Sequence, residues 1–443
     1  MARRYFGTDG VRGRVGDYPM TVDFALRLAS SAARVLAPTG GRALVGKDTR
    51  LSGYMFEAAL EAGFVGAGVD VDLIGPLPTP AIAYLTQKFD CRFGVVISAS
   101  HNLYDDNGIK FFDAGGSKLS DELEEAIERE LENPVITRES RRLGRALRID
   151  KSRGVYQEFC ASTLPKGMDL RGLKIVIDCA NGAAYKVAPR ILADLGAEIV
   201  PIGCSPNGRN INLNCGSTSP EMMGMIVPGV RADVGIALDG DGDRVVMADA
   251  QGQILDGDHL LYVIARDRLA HGDLRGPVVG TVMTNLGLEH ALAADGVPFM
   301  RAKVGDRYVL AMLKEHGGVL GGETSGHLLC LDRTTTGDGL VSALQVLAAM
   351  RRSGRPLAEL AAGMPRYPQV MVNVRVQQRT DPSKSVAIQA AVERAERALG
   401  TSGRVVLRAS GTEPVIRVMV EGREAGEVNR LAHELADTVR KAV

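Results

Sequence analysis

The chain has no excess of charge, since 53 Lys and Arg stand against 53 Asp and Glu in 443 residues. That excludes a bulk field able to gather nucleic acid or an anionic membrane, and any anion site has to be local. Long hydrophobic runs are missing too. No stretch approaches the roughly 18 to 20 uninterrupted apolar residues needed to span a bilayer. Met1-Ala-Arg-Arg-Tyr-Phe6 runs straight into Gly7-Thr8-Asp9 rather than an apolar core, so no secretory leader is expected. The cysteines, Cys91, Cys160, Cys179, Cys204, Cys215 and Cys330, stand singly with no C-x-x-C pair. Such spacing suits reduced, mostly buried thiols in a cytoplasmic protein better than a disulfide frame or a zinc site.

What is present is an ordinary globular balance, 45% hydrophobic and 24% charged, in a chain too long for one hydrophobic core. One strand-loop-helix unit recurs three times. Gly94-Val-Val-Ile97 leads into Ser98-Ala-Ser-His-Asn102. Gly235-Ile-Ala-Leu238 leads into Asp239-Gly-Asp-Gly-Asp243, and Gly318-Val-Leu-Gly-Gly322 into Glu323-Thr-Ser-Gly-His327. Short β-branched runs alternating with helical patterns predict mixed α/β layers, with ligand groups collected outside the strand ends. The tail differs: Arg404–Arg408, Ile416–Val420 and a last helix from about Glu424 to Ala442 predict a smaller α+β domain. The expected domains are 1–150, 151–254, 255–366 and 367–443, with the charged stretch from Asn133 to Arg153 as the first linker.

Asp239-Gly-Asp241-Gly-Asp243-Arg244 is the strongest local signal. Three carboxylates at alternate positions repel one another unless a cation neutralises them, and oxygen ligands select a hard ion, magnesium or calcium. An EF-hand would need glycine and glutamate where Arg244 and Ala250 stand, so magnesium is the better reading; a solvated acidic turn is the plainer alternative. Ser100 beside His101 offers a hydroxyl and an imidazole, yet a serine needs activation to attack and is as often a helix cap. No G-x-S-x-G elbow supports a serine hydrolase. Arg408-Ala-Ser410-Gly411-Thr412, followed by Arg417, has the composition of an anion cradle or of a turn with surface arginines. Gly7-Thr8-Asp9-Gly-Val-Arg12 is a second polar, glycine-rich loop. Glu323, Ser325 and His327 would suit vicinal sugar hydroxyls, although a lone histidine is more often structural.

Read together, Phe6–Gly13, Ile97–Asn102, Asp239–Arg244, Gly322–His327 and Arg408–Pro414 resemble the α-D-phosphohexomutase superfamily over essentially the whole chain. The Asn210-Ile-Asn212, Cys215-Gly-Ser-Thr218 and Thr335-Thr-Gly-Asp-Gly339 segments place the closest resemblance with bacterial phosphoglucosamine mutases. The resemblance implies three related α/β domains and a C-terminal domain of the TATA-box-binding-protein-like type around a central cleft. It implies interconversion of glucosamine 6-phosphate and glucosamine 1-phosphate, feeding UDP-N-acetylglucosamine synthesis, through a phosphoserine and a hexose or hexosamine 1,6-bisphosphate. A small-molecule sugar phosphate would be the partner, without nucleic acid or membrane, and a homodimer is admitted.

Carried onto matching positions, the resemblance makes Ser100 the phosphoserine, with Asp239, Asp241, Asp243 and the serine holding one Mg²⁺. Lys110 would be the general base, provided that its surroundings lower its pKa, with Arg12, His101 and Arg244 assisting. Thr8, Lys303, Asp306, Arg307, Glu323, Ser325 and His327 would bind the sugar phosphate. Arg408, Ser410, Gly411, Thr412 and Arg417 would hold the phosphate that is not reacting. The chain departs from the family pattern at Leu103-Tyr-Asp-Asp106 and at Thr324, which touches rate and sugar selectivity. A phosphomannomutase or phosphoglucomutase, a magnesium-dependent sugar phosphatase and a non-catalytic sugar-phosphate binder are the alternatives.

Overall fold

The computed structural model describes residues 4–7, 9–376, 381–409 and 415–442. The chain forms two compact units, Met1–Val279 with Gly305–Ala361, and Gly280–Val304 with Ala362–Val443. Both are built from mixed α/β layers, as the alternating pattern predicts.

In the first unit, one sheet contains β1 (Val11–Arg14), β2 (Gly41–Lys47), β3 (Val69–Pro76), β4 (Phe93–Ile97), β5 (Asp106–Asp113) and β6 (Ala146–Arg148), in the order β1-β5-β4-β2-β3-β6. Strands β3, β2 and β4 run parallel, while β5 returns antiparallel to β4. All five residues of β4 are buried. It therefore reads as a continuous apolar run rather than an alternation, as a strand covered on both faces must. Helix Thr79–Lys88 lies close against this sheet, because a side chain at Gly94 would meet Thr86 Oγ1 at 2.2 Å.

A second sheet has β7 (Lys174–Asp178), β8 (Glu198–Ile202), β9 (Val234–Leu238), β10 (Val245–Ala248) and β11 (Ile254–Leu255), ordered β11-β10-β9-β7-β8. Again three strands are parallel and β10 turns back on β9. Further on, Val278 and Val279 of β12 (Val278–Thr281) pair in parallel with β14 (Leu320–Gly322), numbered after β13 (Phe299–Ala302). Strand β14 then pairs antiparallel with β15 (Leu328–Cys330). The threefold unit thus has a structural meaning. Residues 98–105, 239–244 and 323–327 each join the last parallel strand to its antiparallel neighbour.

The Asn133–Arg153 stretch is not merely a linker, since β6 pairs in parallel with β3 at the sheet edge. Its three residues are all exposed, so it leaves no apolar signature in the sequence. In the second unit, β16 (Gln369–Arg375), β17 (Gly403–Ala409) and β18 (Val415–Gly422) form an antiparallel sheet ordered β16-β18-β17. Helices Val386–Leu399 and Ala425–Ala442 pack on it, with Ile388, Ile416, Val418, Leu435 and Val439 in the core. The predicted final helix and the α+β character of the tail are both present.

Candidate active site

Ser100 lies in the loop after β4, almost wholly buried, with a left-handed backbone at φ 51°. That conformation costs a non-glycine residue roughly 1–3 kcal/mol and persists only where its surroundings over-determine it. Here they do. The Ser100 N–H donates to Ser98 Oγ at 3.0 Å, and Ser98 Oγ donates to Asp48 Oδ2 at 2.6 Å. Asp48 Oδ2 also accepts from Arg50 Nε at 2.7 Å. Arg50 is fully buried, and its guanidinium donates to the carbonyls of Ser100 (3.0 Å), Asn102 (2.8 Å), Asp106 (3.1 Å) and Leu103. From the loop after β8, Asn212 Nδ2 donates to the same Ser100 and Asn102 carbonyls at 2.8 and 2.9 Å. Two side chains therefore fix the backbone that aims the serine.

The Ser100 hydroxyl donates to Asp239 Oδ2 at 2.6 Å, which places it against the loop after β9. Asp239, Asp241 and Asp243 are all buried, with one carboxylate oxygen of each within 4.8 Å of the others. Burial, then Asp243 and Asp241, push the Asp239 carboxyl well above its ordinary range. Burial acts in the same sense on Asp241, but Lys110 and Thr79 outweigh it and hold that carboxyl low. Asp241 Oδ1 and Asp243 Oδ1 are buried with no hydrogen-bond partner. Crowded, buried, partly unpartnered carboxylate oxygens are a donor set that fits a hard divalent cation such as Mg²⁺. Gly240 is required for the approach of the two loops, because a Cβ there would stand 2.5 Å from Asn212 Nδ2 and 2.7 Å from the Ser100 carbonyl.

Around this pair of loops runs a chain of charge. Lys110, on β5, is buried with Nζ 2.8 Å from Asp241 Oδ2 and 3.0 Å from Asp9 Oδ2. Burial alone would depress its pKa, but Asp241 and Asp9 together raise it. A general base needs the opposite, so in this arrangement Lys110 is a fixed cation. Asp9 also pairs with Arg12 and, at 2.6 Å, with Lys118, whose Nζ reaches Asp306 Oδ2 at 2.6 Å. Asp306 Oδ2 lies 3.4 Å from His327 Nε2, and His327 Nδ1 lies 3.6 Å from Asp243 Oδ2. Although burial opposes it, Asp243 and Asp306 raise the His327 pKa to about 9. His327 thus lies buried between two carboxylates that favour its charged form, with Nε2 making no hydrogen bond. His101 is its counterpart: burial, Arg244 and Arg12 lower its pKa to about 4, leaving a neutral imidazole with Nδ1 unpartnered.

Other expected residues fall differently. Arg244 Nε is 3.9 Å from Asp243 Oδ1, and its charge is felt together with that of Glu323. Glu323 Oε1 accepts from the Gly305 N–H at 2.9 Å, and Ser325 is exposed. Arg307 is engaged by Asp121 and by both Glu124 oxygens at 3.3 Å. Lys303 belongs to the second unit. There Arg408 and Arg417 stand directly opposite each other on β17 and β18, and burial followed by the Arg417 charge lowers the Arg408 pKa. Thr8, Ser410, Gly411 and Thr412 lie outside the described residues. Sequence reasoning passed over Asp48, Arg50 and Lys118, and named Asp9 within its glycine-rich loop without a role. The one available signal was Asp48-Thr-Arg50 directly after β2, the same position after a strand that marks the other loops.

The chain is 58% identical over 449 residues to the phosphoglucosamine mutase of Methylobacillus flagellatus, covering 100% of this chain and 99% of that one. It is 59% identical over 443 residues to that of Halorhodospira halophila, covering 99% and 97%. The chain belongs to the phosphoglucosamine mutase family. The family models for phosphoglucomutase/phosphomannomutase alpha/beta/alpha domains I, II and III match residues 3–135, 156–252 and 256–367, and that for the C-terminal domain matches 371–438. Among solved structures, a phosphoglucomutase/phosphomannomutase family protein from Burkholderia thailandensis shares the fold at TM-score 0.81 and 24% identity, covering 100% of this chain and 98% of that one. An N-acetylphosphoglucosamine mutase from Aspergillus fumigatus, in complex with GlcNAc-6P and magnesium, shares it at 0.69 and 18%, covering 99% and 96%. This member of the phosphoglucosamine mutase family carries a Ser-Ala-Ser-His-Asn loop, a triple-aspartate loop and a Glu-Thr-Ser-Gly-His loop on three equivalent strand ends.

Proposed function

We propose that this protein interconverts glucosamine 6-phosphate and glucosamine 1-phosphate by passing a phosphoryl group through Ser100. The observation that carries this reading is the 2.6 Å contact of the Ser100 hydroxyl with Asp239, inside a buried cluster of three carboxylates. It also separates the reading from a serine hydrolase, because among the described residues that hydroxyl bonds to a carboxylate of the acidic cluster and to no histidine.

Asp239, Asp241, Asp243 and an oxygen of the phosphorylated serine would hold Mg²⁺, which supplies neutralisation of charge on the transferring group. Arg244 and Lys110 add fixed positive charge beside the same oxygens, where preorganised electrostatics does most of the work of phosphoryl transfer. In the first half-reaction the P–O bond to Ser100 breaks as a P–O bond to the sugar hydroxyl forms, giving a 1,6-bisphosphate. The proton lost by that hydroxyl would pass to His101, whose ring is neutral with Nδ1 unpartnered, while Lys110 and Arg12 stay cationic beside it. After the bisphosphate turns over, its other phosphoryl group returns to Ser100, and the proton goes back to the departing oxygen.

Glu323 and Ser325 would read the sugar hydroxyls, and Lys303 and Thr8 would approach the phosphosugar. Arg408 and Arg417, with Ser410, Gly411 and Thr412, would clamp the distal phosphate. Like charges placed opposite on a strand pair repel, and an anion between them offsets that. Four domains at 1–150, 151–254, 255–366 and 367–443 would carry these parts. Among the described residues no helix is long and apolar enough to cross a membrane, and a cytoplasmic sugar-phosphate enzyme is the reading adopted.

A coupled assay following glucosamine 1-phosphate formation together with inorganic phosphate release tests this. Isomer without phosphate release is expected. Phosphate without isomer would make the protein a phosphatase, and faster turnover of mannose or glucose 6-phosphate would move it to the neighbouring mutases.

A further inference from the structure

Two cysteines that this chemistry does not use stand at the ends of neighbouring parallel strands. Cys179 follows β7 directly and Cys204 lies two residues beyond β8, with Asp178 opposite Ile202 in the register. The Cys179 N–H donates to the Ile202 carbonyl at 3.2 Å, and the Cys204 thiol lies 3.2 Å from that same oxygen. The two thiols also influence each other's titration. Continuing the register sets Cys179 opposite Gly203 with Cys204 one residue further on, and such diagonal neighbours on paired strands lie about 6 Å apart, inside the roughly 4.4–6.8 Å Cα separation that a disulfide spans. Cys179 is buried and Cys204 is partly exposed, so an oxidant meets Cys204 first. The Cys204 thiol, with burial, raises the Cys179 pKa well above the ordinary thiol value, and the Cys179 thiol lowers that of Cys204. The accessible sulfur is therefore also the readier thiolate.

We propose that Cys204 and Cys179 are a peroxide-responsive disulfide pair that switches off the adjoining phosphoryl-transfer site. The Cys204 thiolate attacks one oxygen of hydrogen peroxide; the O–O bond breaks, hydroxide leaves, and a sulfenic acid forms on Cys204. The Cys179 sulfur then attacks the Cys204 sulfur, the S–S bond forms, the S–O bond breaks, and the departing hydroxide leaves as water with the Cys179 proton. Overall, two thiols and one peroxide give one disulfide and two waters.

The effect on the site follows from what Cys179 is attached to. Ala180 and Asn181 are left-handed, at φ 53° and 49°. The Ala180 carbonyl accepts from the Asn212 N–H at 2.9 Å, and the Ala183 N–H donates to the Gly240 carbonyl at 2.8 Å. Thr49 Oγ1 donates to the Asn181 carbonyl at 2.6 Å, and a Cβ on Gly182 would touch Gly240 O at 2.3 Å. This segment therefore seats both Asn212, which holds the Ser100 carbonyl, and the triple-aspartate loop. Drawing the two sulfurs to a bond length of about 2.05 Å moves it by on the order of 1 Å, and a misplacement of that size costs about 100-fold in rate.

The test uses the full-length reduced protein, treated with hydrogen peroxide, alkylated, digested and analysed by mass spectrometry beside an activity time course. A peptide pair joined through Cys179 and Cys204 is expected, with activity falling at least about tenfold and returning on dithiothreitol. Cys204→Ser should keep untreated activity and resist peroxide. No joined peptide, a bond to Cys215 instead (its sulfur is 3.7 Å from Asn181 Nδ2), or Cys204→Ser losing activity as fast as the natural chain would overturn the proposal. The joined peptide is read without any substrate, so its absence is distinguishable from a failure of the mutase reading, on which only the activity arm rests.

Discussion

Arg50 Nη2 donates to the Ser100 carbonyl at 3.0 Å while Arg50 Nε is held at 2.7 Å by Asp48, so one buried guanidinium fixes the backbone at Ser100. Lysine in its place offers a single ammonium where a planar fork reaches one carboxylate and four carbonyls. Arg50→Lys should fold, with native circular dichroism, and lose about 100-fold in kcat with a smaller change in KM. Unchanged kcat would remove Arg50 from the positioning of Ser100.

Gly240→Ala puts a methyl group 2.5 Å from Asn212 Nδ2 and 2.7 Å from the Ser100 carbonyl. Neither neighbour can retreat without releasing the serine loop. A loss of about 1–3 kcal/mol in urea unfolding is expected, with activity falling further than that stability loss explains. Gly154, which has open space around it, is the control, and Gly154→Ala should match the natural chain in rate.

The triple-aspartate loop should make the protein measurably more stable with magnesium. A ligand that binds only the folded state at 100 times its Kd adds about 2.7 kcal/mol. Magnesium is therefore expected to raise the thermal midpoint of the natural chain and leave that of Asp239→Asn nearly unchanged. An equal rise in both would place the ion elsewhere.

Asp338 offers a pH test beside the triple-aspartate loop, where the Gly339 N–H donates to the Gly242 carbonyl at 3.0 Å and the Asp243 charge adds to its shift. Its carboxylate caps helix Gly339–Ser353, accepting from the Leu340 and Val341 N–H groups at 3.0 Å each and from Tyr156 Oη at 2.8 Å. Burial outweighs these bonds and raises the pKa to about 6. Because the folded value lies above the unfolded one, the group's stabilising contribution is complete below about pH 4 and is lost as pH rises through about 6. Its size is roughly 3 kcal/mol. Unfolding free energies of the natural chain minus those of Asp338→Asn should fall by that order between pH 4 and 7, and a flat difference would contradict the shift.

The sequence made Ser100, Asp239, Asp241 and Asp243 legible because each chemical group is written out within a few consecutive residues after an apolar strand. The threefold repeat was readable for the same reason, since each loop bridges a parallel strand to its antiparallel return. Strand β6 was not, because an edge strand with every residue exposed has no apolar alternation to show. Nor were the supports of the site. Asn212 meets the Ser100 carbonyl across 112 residues, and Lys118 meets Asp306 across 188. No local pattern encodes such pairings. Lys110 shows the converse limit: its position followed from the resemblance, but its charge state depended on Asp9 and Asp241 closing around it.

The central claim is that Ser100 carries the phosphoryl group between the two ends of the sugar. Incubating the purified chain with a hexosamine 1,6-bisphosphate and magnesium, then mapping phosphopeptides by mass spectrometry, tests it most directly. The account predicts one phosphate on the peptide containing Ser100, discharged on adding glucosamine 6-phosphate and absent from Ser100→Ala, which should also lack mutase activity. A chain that turns over substrate with no phosphate ever found on Ser100, or a Ser100→Ala variant of near-natural activity, would contradict it.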